Sequence, residues 1–124
     1  MLNYQRGDIL LDINMQFHKG VLFIRLKGEL NENTVNKLSN EVTNFIKENG
    51  IGNTVYNIEK LNQIDYYGIK ALLNNYDISK KNNGKSLVCG MQDGLVKHRI
   101  KNSRLLNYMY ETSDELSALN VINL

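Results

Sequence analysis

The chain has 124 residues, 42% of them hydrophobic and 23% charged, with a formal net charge of +2, which is the balance of one ordinary soluble globular domain. That apolar content with so little net charge favours collapse over disorder, and 15 basic against 13 acidic residues does not make a nucleic-acid binder. Val21 to Leu26, the longest strongly apolar stretch, is broken by Arg25 and is far too short to span a bilayer. The N-terminal residues, with Asp8 and Asp12 flanking the apolar ones, do not read as a signal peptide. The lone Cys89 excludes an internal disulfide and a cysteine-rich zinc site. The expected compartment is the cytosol.

Leu11, Ile13, Met15 and Phe17 alternate with Asp12, Asn14 and Gln16, the period of a half-buried strand. His18, Lys19 and Gly20 form a turn, and Leu22, Ile24 and Leu26 alternate with Phe23, Arg25 and Lys27, so an antiparallel hairpin is expected. After Gly28-Glu29-Leu30 the period turns helical. Val35, Leu38, Val42, Phe45 and Ile46 make one stripe, with Asn31 or Asn33 as cap and Gly50 as left-handed terminus. Thr54 to Ile58 reads as a short strand. A second helix is expected from Tyr66 to Asn82, capped by Asp65, ended by Gly84 and buried through Ile69, Leu72, Leu73 and Tyr76. Lys85 to Cys89 reads as a strand, and Asp93 caps a short helix through Leu95, Val96 and Ile100. Leu105 to Tyr110 reads as a last strand. Thr112 and Glu115 have capping-box spacing for a final helix carrying Leu116 and Leu119. This order predicts an α/β fold: a mixed, mostly parallel sheet opened by an antiparallel hairpin and covered by about four helices. One domain over residues 1–124 is expected, with its core from about 11 to 119.

Catalytic groups do not converge in this order. His18 lies in a turn, and His98 sits among Lys97, Arg99 and Lys101 on what reads as a solvated basic face. No Cys/His pair has ligand spacing, so no metal is expected. Gly90-Met91-Gln92-Asp93-Gly94 lacks the lysine and glycine spacing of a phosphate loop, so no nucleotide or other cofactor is expected. Cys89 ends a buried strand and reads as an inert thiol. Glu59 and Asp65 bracket an apolar loop without facing each other, and acid/base catalysis needs a facing pair. The chain is therefore expected not to be an enzyme. The basic run Leu95 to Arg104 holds no acid and leaves two readings: contact with an anionic membrane or an acidic partner, and the favoured one, a solvated face balanced by Glu111, Asp114 and Glu115.

Three stretches together resemble the STAS domain family, in its anti-sigma factor antagonist branch. Val21 to Leu30 is similar to the family's second strand and G-E-L-D turn. Val55 to Gly68 is similar to its strand, loop and D-S-S-G helix start, and Lys85 to Gly90 to its fourth core strand. The resemblance implies a small domain that binds an anti-sigma factor that is also a serine kinase. In that family the kinase phosphorylates the serine after the motif aspartate and the modified form lets go, since phosphate adds nearly two negative charges at a packed surface. Here Tyr66 stands at the phosphoserine position and Tyr67 at the next hydroxyl, while Asp65 and Gly68 remain and Asn31 replaces the aspartate of G-E-L-D. The implied partner surface comprises Glu29, Asn31, Asp65, Tyr66, Tyr67, Gly68 and Lys70, without serine control. Neighbouring residues on a helix differ by about 100°, so both tyrosines cannot point inward and at least one exposed ring is expected. The resemblance leaves open a scaffold STAS domain of a signalling assembly, a STAS accessory subunit of a membrane transporter, and a homodimer.

Overall fold

A computed structural model describes residues 10–92 and 94–123. Strands β1 (Leu11–His18) and β2 (Val21–Leu30) form the expected antiparallel hairpin, in register from Leu11 opposite Gly28 to His18 opposite Val21. Lys19 and Gly20 make its turn at φ of 52° and 78°. The next helix, α1, runs over residues 35–49 as Val35–Leu38 and Asn44–Asn49 joined by a π-helical turn at Ser39–Thr43. Strand β3 (Asn53–Ile64), helix α2 (Tyr66–Lys81) and strand β4 (Ser86–Cys89) follow. Helix α3 (Leu95–Lys101), a 3-10 turn at Leu105–Asn107, strand β5 (Tyr110–Thr112) and helix α4 (Glu115–Ile122) complete the described chain. The five strands lie in the order β1-β2-β3-β4-β5, with all pairs parallel except the first.

Helices α1, α2 and α3 cover one face of the sheet. Leu38, Val42 and Ile46 of α1, Leu72 of α2 and Ile100 of α3 pack there on Leu22, Ile24, Tyr56, Ile58 and Val88. Among the described residues, helix α4 covers part of the other face, setting Ala118 against Val21, Phe23, Val55, Leu87 and Cys89. Phe23 is therefore buried, although it alternates with Leu22 and Ile24 on the side expected to be polar. A strand packed by helices on both faces reads as a continuous apolar run.

Four boundaries differ from the sequence reading. The third strand continues six residues past Ile58 to Ile64, so the segment between Glu59 and Asp65 is strand rather than loop. Two register shifts against β2 put two extra residues on β3. Each bulge alters the facing of the residues after it, so Ile58, Leu61 and Ile64 are buried three apart rather than two. Leu105 to Tyr110 is not a strand: Leu105 and Met109 are joined by a one-turn hydrogen bond of 2.9 Å and are both buried, and only Tyr110–Thr112 pairs with β4. Helix α4 has no Thr112–Glu115 capping box. Asp114 is the cap, accepting from the Ser117 N–H at 2.8 Å, and Leu116 is exposed. At the end of α2 the left-handed residue is Asn83, at φ 65°, not Gly84. Gly84 is needed for room instead, since a Cβ there would lie 1.8 Å from the Gly52 carbonyl carbon.

The expected caps of α1 also shift. Thr34 occupies the cap position without capping through its side chain, while Asn31 organises the preceding turn. Gly50 closes α1 at φ 60° as expected. Asp93, the expected cap of α3, lies outside the described residues. Cys89 is fully buried, and burial pushes its thiol up to about 12, so at neutral pH it is an unreactive thiol.

Candidate functional site

Strands β2 and β3 run in parallel to their paired last residues, Leu30 and Ile64, so the chain leaves both at the same edge of the sheet. The turn after β2 and the start of α2 consequently meet. Asp65 joins them through its two carboxylate oxygens: Oδ1 accepts from the Gly68 N–H at 2.9 Å, and Oδ2 from the Glu32 N–H at 3.0 Å. One side chain thus satisfies an open N–H of α2 and holds the neighbouring turn. Gly68 rests directly on that turn's base, where a Cβ would come 2.4 Å from the Leu30 carbonyl oxygen and 2.8 Å from Ile64 Cγ1.

Asn31 is 8% exposed. Its Nδ2 donates to Oε1 of Gln63 and, at 3.2 Å, to Oε1 of Glu29, while its Oδ1 accepts from the Asn33 N–H at 2.9 Å. The Thr34 hydroxyl accepts from the Asn31 N–H and donates to the Glu29 carbonyl, both at 2.9 Å. The side-chain amide of Asn31 bonds the end of β2, the turn after it and β3. An aspartate could not donate as its Nδ2 does, which accounts chemically for asparagine here beside Glu29.

Tyr66 and Tyr67 open α2 outside any packed face and are 67% and 48% exposed. Their rings meet edge to face, 5.4 Å apart at 79°, a preferred aromatic geometry. The ammonium of Lys70, one turn on, lies 6.0 Å from the Tyr66 ring centre, at the limit of a cation–π contact. The burial of α2 begins only at Gly68 and Ile69, so both rings face solvent where at least one was expected to.

The seven residues singled out in the sequence therefore gather at one end of the sheet, in two chemical groups. Glu29, Asn31, Asp65 and Gly68 form a braced base, whose side chains are engaged or absent. Tyr66, Tyr67 and Lys70 stand on that base and face outward. Sequence reasoning missed Gln63, Glu32 and Thr34 in the brace, because the bulged end of β3 that brings Gln63 there has no strand period.

It also missed the neighbouring groove between α2 and α3, lined by Asp65, Tyr66, Ile69, Leu95, His98, Arg99, Asn102 and Ser103. The spacing of Leu95, His98, Arg99 and Asn102 was a usable signal, since residues three and four apart share a helix face. Two of the acids expected to balance the α3 run are engaged elsewhere. Glu115 instead receives Arg25 Nε and Nη2, both at 2.8 Å, and Asn57 Nδ2 at 2.8 Å, while Asp114 caps its own helix.

A family model described as STAS domain matches residues 12–118. The chain is 28% identical over 110 residues to an anti-sigma F factor antagonist of Paenibacillus polymyxa, a match spanning 88% of this chain and 92% of that protein. The structure of an anti-sigma factor antagonist from Mycobacterium paratuberculosis covers 92% of this chain and 95% of its own, with a TM-score of 0.81 at 17% identity. The murine anion transporter Solute Carrier 26 family member A9 matches 87% of this chain with 18% of its own length, at a TM-score of 0.72 and 14% identity. Both structural likenesses speak for the fold alone.

Proposed function

The chain belongs to the STAS domain family, and from that premise we propose that it is a cytoplasmic binding domain that holds an anti-sigma factor or related serine-kinase-like protein on Tyr66, Tyr67 and Lys70. Homology to anti-sigma factor antagonists makes it a regulatory protein and not an enzyme. The observation that carries the docking reading is the pair of exposed tyrosine rings on a base that cannot give way. Tyrosine brings a large contact area with few rotamers to freeze, and such residues are enriched at interface hot spots. Glu29, Asn31, Asp65 and Gly68 support the surface, and the side chain of Glu29 also lies at its rim.

The proposal includes the mode of control. Tyr66 stands at the position where the family resemblance implies a phosphorylated serine, and a tyrosine hydroxyl lies several ångströms further from the backbone. A kinase site shaped for serine would misplace it, and phosphoryl transfer tolerates little displacement. Release of the partner then depends on abundance or competition rather than on a phosphate cycle.

The family resemblance leaves a second reading, a STAS accessory subunit of a membrane transporter, whose fold the transporter structure shares. Among the described residues no helix is long and apolar enough to cross a membrane. A pull-down with the purified chain separates the readings. Recovery of an anti-sigma kinase supports the first, a permease or transport ATPase supports the second, and other STAS proteins would indicate a scaffold.

A further inference from the structure

The groove between α2 and α3 has a volume of about 640 Å³ and opens beside Tyr66. One wall carries Leu95, His98, Arg99 and Asn102, at spacings of three, one and three, and Leu95 is 77% exposed. The other wall carries Tyr66, with the buried Ile69 beneath it. An isoleucine at the base and a leucine left in water at the rim give the groove an apolar strip between polar and charged residues.

Its α3 wall is basic, while its α2 wall carries Asp65. Arg99 and Lys101 have no ion-pair partner among the described residues, and His98 is exposed beside them. The acid that lines the groove, Asp65, already spends both oxygens on backbone N–H groups. The acids that open α4, Asp114 and Glu115, are engaged with Ser117, Arg25 and Asn57.

We propose that the docking surface continues from Tyr66 across this groove onto α3, and that it takes an acidic segment of the protein partner carrying an apolar side chain. This rests on the reading that a protein docks at Tyr66. The apolar side chain lies between Tyr66, Ile69 and Leu95, and its flanking carboxylates meet Arg99 and His98. Guanidinium matches carboxylate with two parallel hydrogen bonds, which gives direction as well as attraction. Excess positive charge around the groove also steers an acidic segment during encounter. A flat anionic bilayer could meet the rim but not the concave floor at Ile69, so the groove favours a peptide segment over a lipid surface.

The experiment titrates the 15N-labelled chain with a synthetic peptide of alternating glutamate and leucine and follows amide chemical shifts. Saturable shifts are expected at Tyr66, Ile69, Leu95, His98, Arg99 and Asn102. Affinity should fall by about tenfold or more in the double variant Arg99→Glu, Lys101→Glu, in Leu95→Ser, and for the glutamine version of the peptide. It should also weaken strongly as salt rises to about 0.5 M. All these positions are exposed, and the dispersed spectrum of each variant reports that it remains folded.

Absence of saturable shifts, shifts centred elsewhere, or equal affinity of the charge-reversed variant would overturn the proposal. So would vesicles of phosphatidylcholine and phosphatidylglycerol that displace the peptide from these residues, because the basic face would then belong to a membrane. Failure of the parent reading looks different: an anti-sigma factor would ignore Tyr66→Ala and Tyr67→Ala while the peptide still shifted α3 in an Arg99-dependent way.

Discussion

Gly68 shows how little freedom the site's base has. A methyl group there meets a backbone oxygen at 2.4 Å, and a backbone cannot step aside as a flexible side chain can. Gly68→Ala is expected to cost about 1–3 kcal/mol of stability, as overpacking does, measured by urea denaturation. Tyr66→Ala should behave in the opposite way. An exposed residue without buried contacts changes stability within about 0.5 kcal/mol, yet as a hot spot it should cost about 2 kcal/mol or more of partner binding. Calorimetric titration of the partner beside thermal unfolding of the same variants separates support from contact. If both Tyr66→Ala and Tyr67→Ala leave affinity unchanged, the docking surface lies elsewhere. Cys89 gives a second residue-scale expectation. Its thiol is buried and pushed up to about 12, so iodoacetamide should label it only after the chain is unfolded in denaturant.

Among the elements, α4 packs on the sheet face opposite α1, α2 and α3. It covers part of a sheet face through Ala118 and the half-buried Leu119, Val121 and Ile122. Its first turn is anchored by Glu115, which binds Arg25 on β2 and Asn57 on β3. Hydrogen bonding from Arg25 holds the Glu115 carboxyl below its ordinary value of 4.5, while partial burial opposes the shift. A carboxyl depressed in the folded state contributes stability above its unfolded value. That contribution fades as pH falls through the lower folded value. Stability should therefore drop below about pH 4.5 by an increment that Glu115→Gln lacks. With the pair partly open to solvent, the increment at neutral pH is about 1 kcal/mol or less. Denaturation midpoints of the two proteins between acid and neutral pH measure it; equal pH slopes would show that the anchor contributes nothing.

For the whole molecule, the consequence of the fold is that the proposed contact surface and the position of the family's phosphoserine share one end of the sheet. The turn after β2, the start of α2 and the groove beside α3 are held within one braced surface. A change of charge at Tyr66 would therefore act directly on anything docked there. Incubation with the cognate anti-sigma kinase and ATP, followed by intact mass measurement, should show no added phosphate on the wild-type chain. Tyr66→Ser restores a short hydroxyl beside Asp65 and should acquire one phosphate if the kinase's docking geometry is kept. A phosphate on wild-type Tyr66, Tyr67 or any serine, accompanied by loss of binding, would overturn serine-independent control.

Residue order by itself determined the hairpin, the stripe of α1, the capped start of α2 at Asp65 and the mixed α/β class. Each of these rests on a period or a cap that acts within a few residues of its own position. The family resemblance carried by short motifs nominated the end of the sheet where the site residues gather. Only the tertiary structure decided that β3 runs on through two bulges, because its register is set by a partner strand more than thirty residues away. It likewise decided that Glu115 serves Arg25 rather than its own helix, a contact between residues distant in sequence. Burial of Phe23 and exposure of both Tyr66 and Tyr67 follow from which faces other elements cover. The groove against α3 exists only where two helices, separate in the chain, come to lie side by side. Local periodicity records what a segment prefers, and packing between distant segments decides which of its groups are left for a partner.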